Sequence, residues 1–327
     1  MENNVLISAK GLKKYFPVSS FLGGKKKYIR AVDDIDLEIY KGETFGLVGE
    51  SGCGKSTLGK TLIRMYEPSA GKIYYKGEDI TDRKLNQIKS VQKSMQIIFQ
   101  DPYSSLNPFW NVEEILSEPL KNLKLQKSER YEKIKLILNK VGMSEDDLIK
   151  FPYEFSGGQR QRIGIARALL VNPEFIMCDE PIAALDVSIQ AQVVNLLQDL
   201  QKEFGLTYLF TAHDLSMVRY ISNRIGVMYL GSLVEIANSK SLFKKPLHPY
   251  TKALLSAVPS PDPSKKNINE KVKISGEVSQ VFADSNACRF APRCIYKTKI
   301  CEKECPKLRE LEGGHRVACH NAESINS

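Results

Sequence analysis

Apolar positions follow two periods along this chain. Residues 30–39 alternate apolar and acidic, through Val32, Ile35, Leu37 and Ile39, as a half-buried strand does. Thr44-Phe45-Gly46-Leu47-Val48 and Phe175-Ile176-Met177-Cys178 are short continuous apolar runs and read as buried strands. Residues 207–212 make a further strand, and residues 94–100 another that Asp101-Pro102 stops. Residues 5–16 read as a strand and turn ending in Tyr15-Phe16, and residues 71–77 as a strand bounded by turns. Helical spacing runs over 56–65, over 112–149 with two or three breaks, over 156–170, over 187–203 and over 215–222. Residues 225–230 and 233–236 flank Gly231-Ser232, which signals a hairpin.

Polar stretches divide these elements. Ser19 to Lys27 reads as a hairpin tip, with Lys25-Lys26-Lys27 a solvated charge run. Tyr103 to Trp110, with Asn107-Pro108, reads as a loop. Beyond about residue 240 the composition changes: Pro246, Pro249, Pro259, Pro261 and Pro263 break up the chain, and residues 260–272 form a polar, lysine-rich connector.

Of the 327 residues, 42% are hydrophobic, enough to build a sizeable core and to argue against wholesale disorder. The net charge of +9 would suit nucleic acid or an anionic membrane surface, or be solvated face. No apolar run approaches the length of a membrane span, and Met1-Glu2-Asn3-Asn4 begins no signal pattern, so a soluble cytoplasmic chain is expected. Cys53 and Cys178 stand apart from the other five of seven cysteines, which fall between Cys288 and Cys319. In a reducing compartment such clustering favours metal binding over disulfides.

The chemistry centres on Gly49-Glu50-Ser51-Gly52-Cys53-Gly54-Lys55-Ser56-Thr57, which matches G-x-x-x-x-G-K-[ST] between a strand and a helix. Its glycines let backbone N–H groups turn inward around phosphate oxygens, Lys55 can reach the β- and γ-phosphates, and Ser56 can ligate Mg²⁺. Asp179 ends an apolar strand, suited to holding Mg²⁺ through water, and Glu180 beside it is a candidate base for a lytic water. Gln100 ends a strand with an amide for the metal or water, and His213 ends another as a donor to a γ-phosphate oxygen. Ser156-Gly157-Gly158-Gln159 opens a helix with small residues and reads as a second anion site. Two such helix ends suggest a nucleotide shared between two copies.

Phe155-Ser156-Gly157-Gly158-Gln159 resembles the signature of ATP-binding cassette (ABC) proteins, and Gln100, Asp179-Glu180, Ala184-Leu185-Asp186 and His213 stand in that family's order over residues 5–240. The resemblance implies a P-loop, RecA-like α/β core with an antiparallel β subdomain and a helical subdomain inserted at about 101–160. It implies a head-to-tail dimer with ATP between Gly49–Thr57 of one copy and Ser156–Gln159 of the other, and an adenine-stacking ring best placed at Phe16, with Tyr15 the alternative. The family usually has serine where Ala183 stands.

Gln100 to Pro108, Asp186 to Gln192, and Leu247-His248-Pro249-Tyr250-Thr251-Lys252-Ala253-Leu254-Leu255 resemble the ATPase subunits of oligopeptide and dipeptide importers, and Tyr103 resembles the second of their two ATPases. Those importers carry a C-terminal extension, so residues 1–240 are expected as the nucleotide-binding domain and 241–327 as that extension. The five cysteines read Cys288-x5-Cys294-x6-Cys301-x3-Cys305-x13-Cys319; four thiolates would suit Zn²⁺ or an iron–sulfur cluster, or be reduced thiols in a small core. The resemblance favours a [4Fe–4S] cluster on Cys288, Cys294, Cys301 and Cys319, with Cys305 spare.

The expectation is thus an ATPase that powers a peptide importer from the cytoplasmic face of the membrane. Its partners would be permease subunits, docked through residues 101–112 and the helical subdomain, an identical or homologous ATPase, and indirectly a peptide-binding protein. No nucleic acid is expected. A soluble ABC ATPase of DNA repair or translation, or an iron–sulfur-regulated ATPase, are the competing readings.

Overall fold

The computed structural model describes residues 4–18, 27–123, 125–257 and 286–326. The expected hairpin tip, apart from Lys27, and the connector at 260–272 lie outside them. In chain order the elements are β1 (Val5–Val18), β2 (Lys27–Tyr40), β3 (Thr44–Val48), α1 (Lys55–Leu62), β4 (Ala70–Tyr75), β5 (Glu78–Asp79), α2 (Leu85–Ser94), β6 (Met95–Ile98), α3 (Val112–Ser117), α4 (Lys127–Lys140), α5 (Gly157–Leu169), β7 (Phe175–Asp179), α6 (Val187–Phe204) and β8 (Thr207–Thr211). There follow α7 (Leu215–Ile221), β9 (Arg224–Tyr229), β10 (Ser232–Asn238), α8 (Ser239–Lys244), α9 (Pro249–Ser256), β11 (Arg309–Glu312), β12 (His315–Val317) and α10 (Ala322–Asn326). The chain folds into two compact units, each assembled from separated stretches.

One unit comprises residues 1–4, 40–44 and 82–212. Its strands β8, β7 and β6 pair in parallel, with Ile98 opposite Cys178 and Asp179 opposite Thr211. Every residue of β7 and β8 is buried, which is why both read as unbroken apolar runs: a parallel sheet is covered on both faces. α6 buries Val193, Val194, Leu197 and Leu200, a helical stripe, and ends at Gly205 in the left-handed region. Between β6 and α5 the described chain carries α3, α4 and short 3-10 turns, and no strand.

The other unit comprises residues 5–39, 45–81 and 213–327. It holds a sheet of order β2-β1-β4-β5, antiparallel at β1–β4 and β4–β5. The predicted alternation in β2 is the burial of Ile35, Leu37 and Ile39 with acidic residues exposed between them. A second run of strands has the order β11-β12-β10-β9-β3, parallel only at β9–β3. This is the expected α/β class with an antiparallel sheet.

The C-terminal residues add more regular structure than their prolines foretell. Pro249 starts α9 at its first turn, where the missing N–H costs nothing, instead of breaking the chain. β12 extends the sheet from β10, and Val317, Leu247 and Ala322 pack as a small core with Leu311 and Cys319. Glu235 of β10 is fully buried, and its carboxylate accepts the N–H groups of Leu247 (2.7 Å) and His248 (2.9 Å) and pairs with His315 Nε2 (2.7 Å).

Candidate functional site

The loop 49–54 joins β3 to α1. Gly49 (φ 154°) and Gly54 (φ 107°) are the positions where only glycine fits: a Cβ would stand 2.1 Å from Met228 O or 2.0 Å from Ala31 O. Gly54, which has no side chain to offer, caps α1 without a side-chain bond, at the positive end of the helix. Lys55 is buried, and its Nζ donates to Gly49 O (2.9 Å) and Glu50 O (3.2 Å). The ammonium thus rests on the loop's own carbonyls.

In the other unit, parallel pairing of β6 and β7 brings two predicted residues together beyond the strand ends. Gln100 Nε2 donates to Glu180 Oε2 at 3.0 Å. Asp179 is buried and Glu180 half-buried, the latter at φ +45°, a left-handed conformation that its N–H bond to Thr211 Oγ1 (3.0 Å) helps hold. Thr211 Oγ1 also lies 3.4 Å from Asp179 Oδ1, so one hydroxyl touches both carboxylate-bearing positions.

Ser156 caps α5, its Oγ accepting the Gln159 N–H (3.4 Å) while Gln159 Oε1 accepts the Ser156 N–H (3.0 Å). Gly157 could carry a Cβ, 3.4 Å from Leu185; at Gly158 it would press on Ile189 Cγ2 at 2.6 Å. His213 is exposed. Phe16 meets Tyr66 in a T-shaped contact at 5.8 Å. Tyr15, the alternative ring, donates its hydroxyl to Asp33; burial and that partner push its pKa up to about 12. Asp33 is further bound by Arg289 and by Arg30 (3.1 Å).

Cys301 acts electrostatically on Cys288, Cys294 and Cys319, Cys294 acts on Cys319, and Cys305 acts on Cys288. Cys288 N–H also donates to Cys301 O (2.8 Å). Burial raises the pKa of Cys288 to about 12 and that of Cys319 to about 11. Cys305 is exposed and interacts with Cys288, Arg289, Asp33 and Asp34. Among the described residues no group of three or more His, Cys, Asp or Glu is drawn into a metal-holding cage.

Three residues make contacts here that the sequence pattern does not foretell. Thr211 is an ordinary strand residue until β7 and β8 pair. Tyr250 Oη accepts the Glu50 N–H (2.9 Å), and Arg293 clasps the Glu50 carboxylate, at 200 and 243 residues' separation.

Residues 32–183 match the family described as ABC transporter, and residues 234–301 that described as oligopeptide/dipeptide transporter, C-terminal region. The chain is 50% identical to a putative oligopeptide transport ATP-binding protein of Bacillus subtilis over 324 residues, 98% of this chain and 97% of that one. It is 44% identical to the dipeptide transport ATP-binding protein of Haemophilus influenzae over 323 residues, 98% of each. Among solved structures it resembles cbiO1 of Clostridium perfringens, part of an ABC transporter complex (TM-score 0.64, 28% identity, 74% of this chain and 91% of that one). It also resembles the ATP-binding cassette MJ0796, a dimer bound to ADP and Pi (TM-score 0.63, 26% identity, 72% and 99%). The chain therefore belongs to the ABC ATPase family, among the ATP-binding proteins of oligopeptide and dipeptide transport.

Proposed function

We infer that this chain is the ATP-binding and ATP-hydrolysing subunit of an importer of dipeptides or oligopeptides. One observation carries the reading: similarity to oligopeptide and dipeptide transport ATP-binding proteins runs through the cassette and the C-terminal region alike. No described helix is long and apolar enough to cross a membrane. By its likeness to transport ATP-binding proteins, the chain is proposed to act beside permease partners on the cytoplasmic face. The dimeric MJ0796 cassette supports a second ATPase, identical or homologous, as a partner.

The residues take the roles their chemistry suits. The N–H groups of Gly49–Thr57 cradle the phosphates and Lys55 neutralises the β- and γ-phosphate charge. Ser56 and Gln100 would hold Mg²⁺ directly and Asp179 through water; the oxygen donors suit that hard cation, which would screen the phosphates. Glu180 takes a proton from the attacking water, and Gln100, already bonded to it, helps fix the carboxylate. His213 bonds a γ-phosphate oxygen. Phe16 stacks on adenine; the engagement of Tyr15 with Asp33 favours it over the alternative. Ser156–Gln159 faces the γ-phosphate held by the partner ATPase.

The cysteines are proposed to bind a [4Fe–4S] cluster through Cys288, Cys294, Cys301 and Cys319. The soft thiol set suits iron–sulfur or zinc, and the reach of Cys301 to the other three, with Cys305 exposed beside Arg289, supports that choice. The thiols would have to close up to ligate, and the bound group would cross-link a segment with few apolar residues.

The test is co-purification with permease subunits from membranes, and peptide uptake in cells lacking this chain. Restored uptake by the wild type and none by a Lys55→Ala variant is the expected result. ATP hydrolysis with no permease partner and unchanged uptake would overturn the reading.

A further inference from the structure

Every polar group of Glu50, the second residue of the phosphate loop, is committed. Its carbonyl accepts Lys55 Nζ (3.2 Å). Its N–H donates to Tyr250 Oη (2.9 Å). Its carboxylate takes a two-pronged ion pair from Arg293, Nη1 to Oε2 at 2.9 Å and Nη2 to Oε1 at 3.2 Å. That pair is largely shielded, with the Arg293 side chain 10% and the Glu50 side chain 27% exposed.

The two C-terminal partners are themselves braced. Tyr250 is fully buried in the first turn of α9, where Pro249 presets the backbone and His248 Nδ1 caps the Tyr250 N–H at 3.0 Å. Its ring packs on Tyr229 (4.6 Å between centroids) and on Phe290 (5.6 Å). Phe290 stands T-shaped against Tyr229 at 5.3 Å. Arg293 Nη1 also reaches Tyr229 Oη (3.3 Å), and the guanidinium lies over that ring at 5.9 Å. A bidentate guanidinium and a buried phenol fix both distance and direction, which a lysine or a flexible side chain would not.

We propose that Tyr250 and Arg293 are positioning residues for ATP, holding the phosphate loop through Glu50 in the conformation that receives the phosphates. The run His248-Pro249-Tyr250 then acts as one device. The His caps the helix, the Pro starts it, and the Tyr delivers its hydroxyl to the loop. The nucleotide never touches Tyr250 or Arg293. Without them the loop and its lysine must be ordered by ATP itself, which weakens binding. The proposal rests on the reading of Gly49–Thr57 as the ATP loop.

The experiment titrates ATP against the purified full-length chain, with thermal unfolding measured on the same samples. Wild-type protein that fails to bind ATP would refute the functional reading itself. Tyr250→Phe and Arg293→Met should each raise the ATP dissociation constant about 5-fold, the scale of one ordinary net hydrogen bond passed on to the site. Arg293→Lys, which keeps the charge but not the fork, should recover part of the loss. In Glu50→Gln with Arg293→Met the effects should not add, since both break one contact. Arg309→Met, which severs the exposed Arg309–Glu323 pair in the same segment, should leave ATP affinity unchanged. Unchanged affinity in Tyr250→Phe and Arg293→Met would overturn the proposal, as would additive losses in the double variant or an equal loss in Arg309→Met.

Discussion

Gln100 and Glu180 stand 80 residues apart in sequence and share a hydrogen bond of 3.0 Å. Each follows a strand of one parallel pair, so the sheet register delivers amide to carboxylate. Glu180→Gln keeps the shape and an oxygen to accept from Gln100, yet cannot take a proton. We expect kcat to fall about 100-fold or more, with ATP still bound and an ATP-loaded dimer accumulating. Phosphate release and gel filtration with ATP check this; wild-type turnover would refute the role given to Glu180.

Gly157 and Gly158 should respond oppositely to added bulk. Gly157→Asp has room, with the Cβ 3.4 Å from Leu185, and an acid in the first turn suits a helix dipole. The monomer should fold and bind ATP but fail to dimerise around it, because in the proposed head-to-tail dimer the carboxylate would face the partner's phosphate. Gly158→Ala drives a Cβ to 2.6 Å from Ile189 and should cost about 1–3 kcal/mol of stability by overpacking α5 on α6. ATP-dependent dimerisation of Gly157→Asp, or an unshifted melting temperature for Gly158→Ala, would contradict these expectations.

Protein purified without oxygen should be brown and contain iron. Cys294→Ser should bleach it, whereas Cys305→Ser should keep the colour, since Cys305 is exposed and turned to Arg289 and Asp33. Metal analysis decides: stoichiometric zinc would replace the cluster by a zinc site, and metal-free anaerobic protein would rule out both.

His248 should make the fold acid-sensitive. Burial pushes its pKa down to about 4 from 6.5, against the pull of the Glu235 carboxylate and a hydrogen bond to the Ala318 backbone. The unfolded chain therefore takes up this proton before the folded one. Stability from this group is complete above about pH 6.5 and is lost toward pH 4, by at most about 1.4 kcal/mol per pH unit. His248→Asn keeps a capping acceptor and removes the titration, so urea midpoints should slope less steeply between pH 6.5 and 4. An identical slope would assign the sensitivity elsewhere.

The buried strands were legible because burial on both faces writes itself as apolar runs: β3, β7 and β8 stand where the pattern puts them. Their ends were legible because Gln100, Asp179 and Glu180 interrupt such runs with costly polar groups. α2 was not anticipated, since Ile88 and Val91 are too few to set a period. β11 and β12 were missed for another reason. Arg309–Glu312 and His315–Val317 have little strand character of their own and become strands by pairing outward from β10. Tyr250 stood inside the run 247–255 and Arg293 was not singled out; that both act on Glu50 is fixed only by tertiary packing.

The pairing of β12 on β10, Glu235 opposite Val317 and Ile236 opposite Arg316, has a meaning for the chain as a polymer. Cut near residue 240, the protein would present β10 as a naked sheet edge, its backbone donors and acceptors unpaired beside Leu233, Val234, Ile236 and Ala237. Such an edge recruits strands from neighbouring molecules. The C-terminal segment is thus a built-in guard against aggregation, and shortened forms of this ATPase should precipitate where the whole chain stays dispersed.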